Sequence, residues 1–425
     1  MKALRFSAIF TIFFTVVFSF TRAQAPLHKC GTMDHMEKLI ARDPGIYDRM
    51  QQIEAQTRQY LESDNAKSGQ TLVTIPVVVH VIHYGETEET GRNISDAQVY
   101  SQIASLNEDY RLLNEDSLMP SHPFWQYTAD CKIEFCLAQQ DPNGDPTSGI
   151  TRHEGTQPSW DEDEIETYIK PPTVWDPSSY LNMWTVDFGG ADSNLLGYAQ
   201  FPGGPDSTDG VVIRYTAFGR EDNVEYPNDM GRTATHEVGH YLNLYHIWGD
   251  EYCGDDLVGD TESAEEANYG CPGFPHNDYN GCGTGANGEM YMNYMDYTDD
   301  ACMVMFTFGQ KDRMQAILAN DRYSLQYSSG CTPAGIAEVM PAKLSNVSLY
   351  PNPNAGSFSL AFHRAVPGMP EISIFNSLGQ QISSFDRAKT ENGFRVQMKD
   401  CPEGLYFVKI RLGEEKVMKK VFIYR

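Results

Sequence analysis

Apolar residues follow two different spacings in the first part of the chain, and each spacing predicts a type of element. Residues 75–83 form a continuous β-branched apolar run, which is typical of a buried strand. Residues 132–138, 181–188 and 210–215 predict further strands. Asn93-Ile94-Ser95 predicts the cap of a helix that runs to about Leu113, because apolar side chains recur from Val99 at helical spacing. The order of strand, helix, strands and a later long helix predicts an α/β unit with a cleft under the sheet edge, between two subdomains.

The pattern changes near the carboxy terminus to short alternating strands separated by turn residues. We predict strands at 347–350, 357–362, 372–375, 394–398, 405–411 and 416–423, which together are typical of a small all-β sandwich. Glycines and prolines ahead of them predict a linker at 331–344. Residues 345–425 hold eleven Lys and Arg against seven Asp and Glu, a net charge of +4, whereas the whole chain carries −26 and the remainder therefore −30. The charge difference supports a domain boundary.

The amino terminus has the pattern of a secretory signal peptide at 1–23. Basic residues precede an apolar run at 6–20, which is too short for a membrane anchor. Cleavage after Ala23 or Ala25 fits, and Pro26 favours Ala23. Residues 24–70 are polar and helix-prone, and we interpret them as a propeptide ahead of a catalytic domain at 71–330. No later segment is apolar over the length of a bilayer, so we expect a soluble mature protein.

One short segment carries the pattern of a metal site. His236 and His240 are four residues apart and lie on one face of a helix, where both can bind one ion. Glu237 is placed to reach a water held by that ion, which makes it the candidate general base. A sharp turn at Asn243 would bring His246 back as a third ligand, since Asn tolerates a left-handed backbone. Three histidines leave a fourth position open, which is the catalytic arrangement of zinc.

The alternative is that this spacing arises by chance on an ordinary amphipathic helix. The third histidine and a downstream tight turn, residues 293–297 with Met295 at its centre, disfavour chance. His80 and His83 lie on a predicted strand, and we interpret them as structural rather than as ligands.

With these residues in place, the chain resembles the metzincin metallopeptidases, and among them the pappalysin (cytophagalysin) family, from about residue 75 to residue 314. The family fold this implies is a mixed sheet plus the helix that carries His236. Asn243 departs from the glycine that most metzincins have there. The resemblance implies that Tyr297 stabilises the tetrahedral intermediate, and that Asp300 lies at the base of a pocket favouring Arg or Lys after the cut.

Nine cysteines are compatible with export. Cys253, Cys271, Cys282 and Cys302 allow three pairings, of which the family resemblance implies Cys253–Cys282 and Cys271–Cys302. Pairing of the remaining set is open, and buried free thiols are an alternative for some of its members: Cys131, Cys136, Cys331 and Cys401.

Cys30 precedes a glycine upstream of the predicted enzyme. A thiolate binds zinc well, so we hypothesise that Cys30 blocks the metal in the precursor. An incidental free or mispaired cysteine is the alternative, and Asp34 is a second possible blocking ligand.

The segment after His246 is rich in carboxylates. Oxygen ligands in an irregular loop suit calcium, and relatives in the family bind calcium near this position. We therefore predict Asp256, Asp260 and Thr261 as calcium ligands, with a solvated acidic loop as the alternative.

The carboxy-terminal module resembles the sorting domain of type IX secretion in Gram-negative bacteria. The matching segments are Tyr350-Pro351-Asn352-Pro353, the turn at 376–379, Gly404-Leu405-Tyr406-Phe407-Val408 and the basic end at 419–421. This resemblance implies export through the periplasm and outer membrane with the outer-membrane secretion machinery as partner, to a secreted or cell-surface location. The alternative is a generic binding sandwich.

We therefore expect a secreted zinc endopeptidase that acts on proteins or peptides. Two other classes are possible: a surface adhesin with a structural metal site, which Glu237 disfavours, and a non-peptidase zinc hydrolase, which the turn around Met295 disfavours. The acidic catalytic part argues against nucleic acid or an anionic membrane as partner.

Overall fold

The computed structural model describes most of the chain, in two compact units at 1–333 and 334–425. The described residues are 28–63, 72–276, 282, 285–334, 347–350, 352, 354–362, 371–376, 380–382, 385–390, 393–398, 401–412 and 415–423. The predicted signal peptide and most of the predicted linker lie outside them. Within the described part of the chain, every helix is too short or too polar to span a lipid bilayer.

A seven-stranded sheet organises the first unit. Its strands are β1 (His28–Cys30), β2 (Val73–His83), β3 (Ile133–Leu137), β4 (Ile150–Glu154), β5 (Leu181–Val186), β6 (Leu195–Ala199) and β7 (Val211–Arg214). They follow the order β1-β6-β7-β5-β2-β3, and β4 also pairs with β2. Only β6 and β7 are antiparallel, so the sheet is mixed. The four strands predicted from the apolar runs are present with boundaries that differ by at most two residues; β1, β4 and β6 were not predicted as strands.

Seven α-helices accompany this sheet in the described residues. They are α1 (Thr32–Arg42), α2 (Gly45–Glu62), α3 (Asp96–Tyr110), α4 (Glu162–Glu164), α5 (Lys170–Thr173), α6 (Arg232–Tyr241) and α7 (Phe308–Ala319), with a π-helical turn (Ile165–Ile169) between α4 and α5.

Helix α3 begins as predicted but ends early. The Ser95 side chain accepts a hydrogen bond from the Gln98 amide, which is the expected cap. The prediction that this helix reaches Leu113 is wrong, because Leu112 has a left-handed backbone (φ 51°) and Leu113 is exposed. The sequence signal was misleading, since an apolar residue at helical spacing need not be buried.

The main core lies between the sheet and helices α3 and α6. It contains Ile75 and Val77 of β2, Val99 of α3 and Val238 of α6. Packing of α6 against β6 and β7 places one face of this helix near the sheet edge, where the candidate metal site lies.

The cysteines form three disulfides among the described residues. Cys253–Cys282 and Cys271–Cys302 are the pairs that the family resemblance implied. Cys136 pairs with Cys331, a bond that the sequence left open. Cys131 and Cys401 are buried free thiols, as is Cys30.

His80 has a structural place in β2. Its ring is fully buried, with Nδ1 2.8 Å from the Thr151 hydroxyl and Nε2 2.9 Å from the Asn182 carbonyl oxygen. Burial lowers its pKa to about 3, so the ring is neutral. The structural interpretation of His80 is therefore correct.

The second unit is a β-sandwich of two four-stranded antiparallel sheets. Its strands are β8 (Val347–Tyr350), β9 (Ser357–Phe362), β10 (Glu371–Asn376), β11 (Gln381–Ile382), β12 (Phe385–Thr390), β13 (Gly393–Met398), β14 (Gly404–Leu412) and β15 (Glu415–Ile423). One sheet has the order β11-β10-β14-β15 and the other β12-β13-β9-β8. Phe358 and Val396 of one sheet share a buried core with Ile374 and Val408 of the other. The predicted all-β module is confirmed, with two strands, β11 and β12, that the sequence did not reveal.

Candidate metal centre

Three imidazole rings meet at one point beside α6. His236 and His240 lie one turn apart on this helix, and His246 returns from the following loop. The distances between their Nε2 atoms are 3.2 Å (His236–His246), 3.1 Å (His236–His240) and 3.0 Å (His240–His246). All three side chains are buried.

The return of His246 depends on a left-handed residue. Asn243 has φ 70°, and its amide donates to the His240 carbonyl at 2.8 Å. The next amide, that of Leu244, donates to the Gly239 carbonyl. These bonds close the end of α6 and reverse the chain at the predicted position.

The second nitrogen of each ring has an acceptor. The Nδ1 atoms of His236 and His240 lie 2.7 Å from the carbonyl oxygens of Tyr294 and Leu244. Nδ1 of His246 is paired with the Asp250 carboxylate. These contacts require hydrogens on Nδ1, so each Nε2 carries a bare lone pair directed at the same point.

This arrangement fits a zinc ion. Burial, with the neighbouring rings, holds the pKa of His236 and of His240 well below the usual range, so both are neutral ligands. Three converging lone pairs repel one another unless a cation lies between them. Nitrogen ligands at about 2.0–2.1 Å from a tetrahedral zinc are separated by about 3.3 Å, close to the spacing observed here.

Glu237 lies next to the three rings with its side chain fully buried. Its Oε2 accepts a hydrogen bond from the Thr32 hydroxyl at 2.8 Å and one from the Cys30 thiol at 3.5 Å. Oε1 has no hydrogen-bond partner among the described residues. Burial raises the pKa of Glu237 to about 8, against the lowering effect of these two donors.

Cys30 is the fourth potential ligand of the cluster. Its sulfur and the nitrogens of the three histidines all lie within 4.8 Å of one another. Strand β1 holds it there by pairing in parallel with β6, with Cys30 opposite Gly197. Burial and the nearby Glu237 carboxylate raise the pKa of the thiol, an effect that a zinc ion would oppose. Asp34, the second candidate, is exposed and is not part of this cluster.

A cavity beside His236 is lined in part by a lysine from strand β1. Lys29 donates to the Thr298 carbonyl at 2.9 Å and to the Asp299 carboxylate at 3.3 Å. Asp300 also lines the cavity and is fully buried. Its Oδ2 accepts from the amides of Met230 and Arg232, at 2.9 and 3.1 Å. Burial raises the pKa of Asp300 to about 6.

Met295 and Tyr297 both lie close to the three histidines. Met295 is fully buried under α6, where a Cβ on Gly239 would collide with its sulfur. The Tyr297 ring packs against His236 and His246, and its hydroxyl donates to the Cys30 carbonyl at 3.4 Å.

The three predicted calcium ligands have different hydrogen-bond partners. Both oxygens of Asp256 lie 2.9 Å from the Thr261 hydroxyl, and the carboxylate is buried. Asp260 instead accepts from the Gly309 amide in the first turn of α7.

Sequence reasoning missed three residues at this centre. Asp250 has a signal, since a carboxylate four residues after a ligand histidine can reach its Nδ1. Lys29 and Thr32 flank Cys30, but nothing in the sequence indicates that Lys29 lines the cavity and that Thr32 bonds Glu237.

The chain is similar to known metallopeptidases. The peptidase M43 family profile, described as Pregnancy-associated plasma protein-A, matches residues 164–319. A secretion system C-terminal sorting domain matches residues 348–424. An extracellular metalloprotease of Colletotrichum graminicola is 30% identical over 280 residues, covering 64% of this chain and 87% of that protein.

Two solved structures from Tannerella forsythia have a similar fold. A promirolysin mutant is 40% identical with a TM-score of 0.62, and the match covers 70% of this chain and 97% of the other. Mature mirolysin in complex with a cleaved peptide is 43% identical with a TM-score of 0.55, over 61% of this chain and 97% of the other. The chain belongs to the peptidase M43 (pappalysin) family of metzincins and is a secreted zinc metalloendopeptidase with a carboxy-terminal secretion sorting domain.

Proposed function

We propose that His236, His240 and His246 hold the zinc ion of this endopeptidase and that Glu237 is its general base. The observation that carries the proposal is the convergence of three bare imidazole nitrogens, each with its other nitrogen already bonded. Bound there, zinc would polarise the scissile carbonyl and acidify a water molecule.

Glu237 has the environment of a base that becomes available when the precursor matures. Both of its hydrogen-bond donors, Thr32 and Cys30, belong to the proposed propeptide 24–70. Once that segment leaves, the carboxylate can take a proton from the attacking water and pass it to the leaving amine.

Tyr297 is the proposed donor to the oxyanion. In the precursor its hydroxyl donates to the backbone carbonyl of Cys30, which here takes the place of a substrate carbonyl. A phenol aimed at this position would stabilise negative charge that develops on the substrate oxygen.

Cys30 is the proposed latch of the precursor, and Asp34 is not. The Cys30 sulfur lies beside the three histidines, whereas the Asp34 side chain is exposed. A Cys30→Ala precursor should hydrolyse peptide before processing, and an Asp34→Ala precursor should not. Equal inactivity of the two precursors would exclude Cys30 as the latch.

The cavity next to His236 supports a preference for Arg or Lys after the cut. The Lys29 ammonium lies at its wall, bonded to a carbonyl and to the Asp299 carboxylate. Asp300 supplies a buried carboxylate to the wall of the cavity. A basic side chain of a substrate would find the same partners once Lys29 has left, because charge-assisted hydrogen bonds offset its desolvation.

Calcium remains part of the proposal at Asp256 and Thr261, with Asp260 nearby in the chain. The buried Asp256 carboxylate supports it, because burial raises its pKa to about 7 and a divalent cation would compensate that cost. Chelation of calcium should then lower the thermal stability of the protein.

We also propose the domain boundaries and an export route. The propeptide would occupy 24–70, the catalytic domain 71–330 and the sorting domain 345–425, and the precursor would pass through the outer membrane of a Gram-negative bacterium. Deletion of 345–425 should leave the enzyme in the periplasm. Normal export of the shortened chain would contradict the sorting role.

Two measurements on one preparation test the proposed site. Elemental analysis of the purified protein should find one zinc per chain, and the matured enzyme should cleave a proteome-derived peptide library. Glu237→Ala should keep the zinc and lose about 10²–10⁴ in rate. A variant that keeps full activity would exclude Glu237 as the base.

A further inference from the structure

A buried carboxylate behind α6 has no part in the chemistry described so far. Asp109 lies at the end of α3 and is only 3% exposed. Asp109 and Arg232 line another cavity, and Asp109 is not among the residues that line the cavity beside His236. Its Oδ2 accepts from the Thr235 hydroxyl at 2.7 Å, and its Oδ1 from the Tyr294 hydroxyl at 2.8 Å.

The two donors come from the two segments that define the metal site. Thr235 directly precedes His236 on α6, and Tyr294 directly precedes Met295. The Tyr294 backbone carbonyl is the acceptor for Nδ1 of His236. One carboxylate therefore closes a ring of contacts that contains a ligand histidine and the turn around Met295.

Neighbouring contacts hold this ring in place. The Tyr110 hydroxyl, next to Asp109 on α3, donates to the Thr235 carbonyl at 3.1 Å. Arg232 supplies the counter-charge, with a guanidinium nitrogen 3.6 Å from Asp109 Oδ1. Burial of a carboxylate costs free energy unless its oxygens accept hydrogen bonds. Loss of either donor would therefore leave the desolvation of Asp109 poorly compensated.

We propose that Asp109 is a positioning residue of the metal centre, which fixes α6 against the turn around Met295 so that His236 stays directed at the metal. This inference rests on the proposed zinc site. A carbonyl or carboxylate behind a ligand histidine sets the orientation of the ring, and Asp109 acts one step further out, on the residue that provides this carbonyl.

Removal of one hydroxyl tests the proposal with little change in shape. Tyr294→Phe deletes the donor to Asp109 but keeps the ring and the backbone carbonyl. Tyr180→Phe is the matched control, since that hydroxyl donates to the Gln140 carbonyl at 3.0 Å outside the metal centre. The rate of zinc release to a chelator is measured on the full precursor of each variant. The values of kcat and KM are measured after maturation, and the free energy of unfolding is measured for each variant.

We expect both variants to lose stability, and Tyr294→Phe to lose more, because its hydroxyl donates to a buried carboxylate. Only Tyr294→Phe should release zinc about tenfold faster and lower kcat at nearly constant KM. Mutation of residues that support metal ligands typically lowers metal affinity or activity by about 10–100-fold. A Co²⁺-substituted Tyr294→Phe enzyme should also have a shifted visible spectrum. Asp109→Asn should have the same effects, and its effects should not add to those of Tyr294→Phe.

Three results would overturn the inference. Tyr294→Phe with the zinc release rate, kcat and cobalt spectrum of the unaltered protein would exclude it, even if Asp109→Asn fails to fold. Equal changes in Tyr180→Phe would reduce the effect to general destabilisation. Absence of zinc from the unaltered protein would overturn the proposed function as well, so the two failures can be told apart.

Discussion

The proposed propeptide is held by a charge pair that we expect to control latency. Arg313 of α7 is almost completely buried, and its guanidinium donates to both carboxylate oxygens of Glu54 from α2, at 3.1 and 2.9 Å. The same guanidinium donates to the carbonyl of Asn243, at the turn between two of the histidines. Glu54 thus joins the propeptide to the catalytic unit near the metal centre.

The effect of Glu54→Gln on propeptide opening can be estimated from the burial of the Glu54–Arg313 ion pair. Loss of one partner of a buried ion pair costs about 3–5 kcal/mol, and we take about 2 kcal/mol because Glu54 is still 12% exposed and Gln keeps an acceptor. A change of about 2 kcal/mol corresponds to roughly a 30-fold shift in equilibrium. Glu54→Gln should therefore raise the fraction of precursor with an open propeptide about 30-fold.

Alkylation of Cys30 measures that fraction, because the thiol is buried until β1 leaves the sheet edge. Labelling is followed by peptide mass spectrometry in a Glu237→Ala background, which prevents self-processing. Cys131 is an internal control, being a buried free thiol of the catalytic part. The matched control variant is Glu62→Gln, an exposed glutamate of the same helix. Labelling of Cys30 less than threefold faster in Glu54→Gln than in Glu62→Gln would refute the reasoning.

Three further predictions concern the specificity pocket, the acidic loop and the metal helix. Asp300→Asn should lower the preference for Lys over Leu after the cut about tenfold in kcat/KM, because a hydrogen bond to a charged group is worth about 1.5–3 kcal/mol. An unchanged preference would exclude Asp300 as the specificity residue. Burial raises the pKa of Asp256 from 3.8 to about 7. Over that pH range the unfolded chain is ionised while the folded chain keeps its proton, so stability without calcium should fall as pH rises from about 4 to 7, in thermal melts. Calcium should reverse the part of this loss that Asp256 causes, and Asp256→Asn should show a smaller loss and no recovery with calcium. Gly239→Ala should cost about 1–3 kcal/mol in urea unfolding and reduce zinc content, since the added methyl meets the Met295 sulfur; a fully zinc-loaded, equally stable variant would contradict that packing.

The features that sequence predicted are those in which local spacing determines geometry. His236 and His240 share a face because a helix repeats every 3.6 residues, and Asn243 can reverse the chain because it tolerates a positive φ. The apolar run at the start of the catalytic part predicted β2 for the same kind of reason, since continuous β-branched residues favour a strand buried on both faces.

Features that depend on distant parts of the chain could not be predicted in this way. Cys136 and Cys331 are 195 residues apart, and no spacing indicates their pairing. Strand β1 is three residues long and exists only because β6 offers an unpaired edge to it. The pairing of Glu54 with Arg313 likewise requires knowing that α2 packs against α7.

The contacts that orient the three histidines differ from the contacts that the proposed propeptide makes. The Nδ1 atoms of the three ligand histidines bond to Leu244, Asp250 and Tyr294, all in the catalytic part of the chain. The proposed propeptide contributes different contacts: Lys29 lines the cavity, Cys30 adjoins the rings and Thr32 bonds Glu237. Departure of the proposed propeptide would therefore remove Lys29 from the cavity wall, Cys30 from beside the rings and Thr32 from Glu237, and would break none of the bonds that orient the rings. The proposed latency is thus the covering of a site whose histidines are already oriented, and maturation would require only the release of one segment.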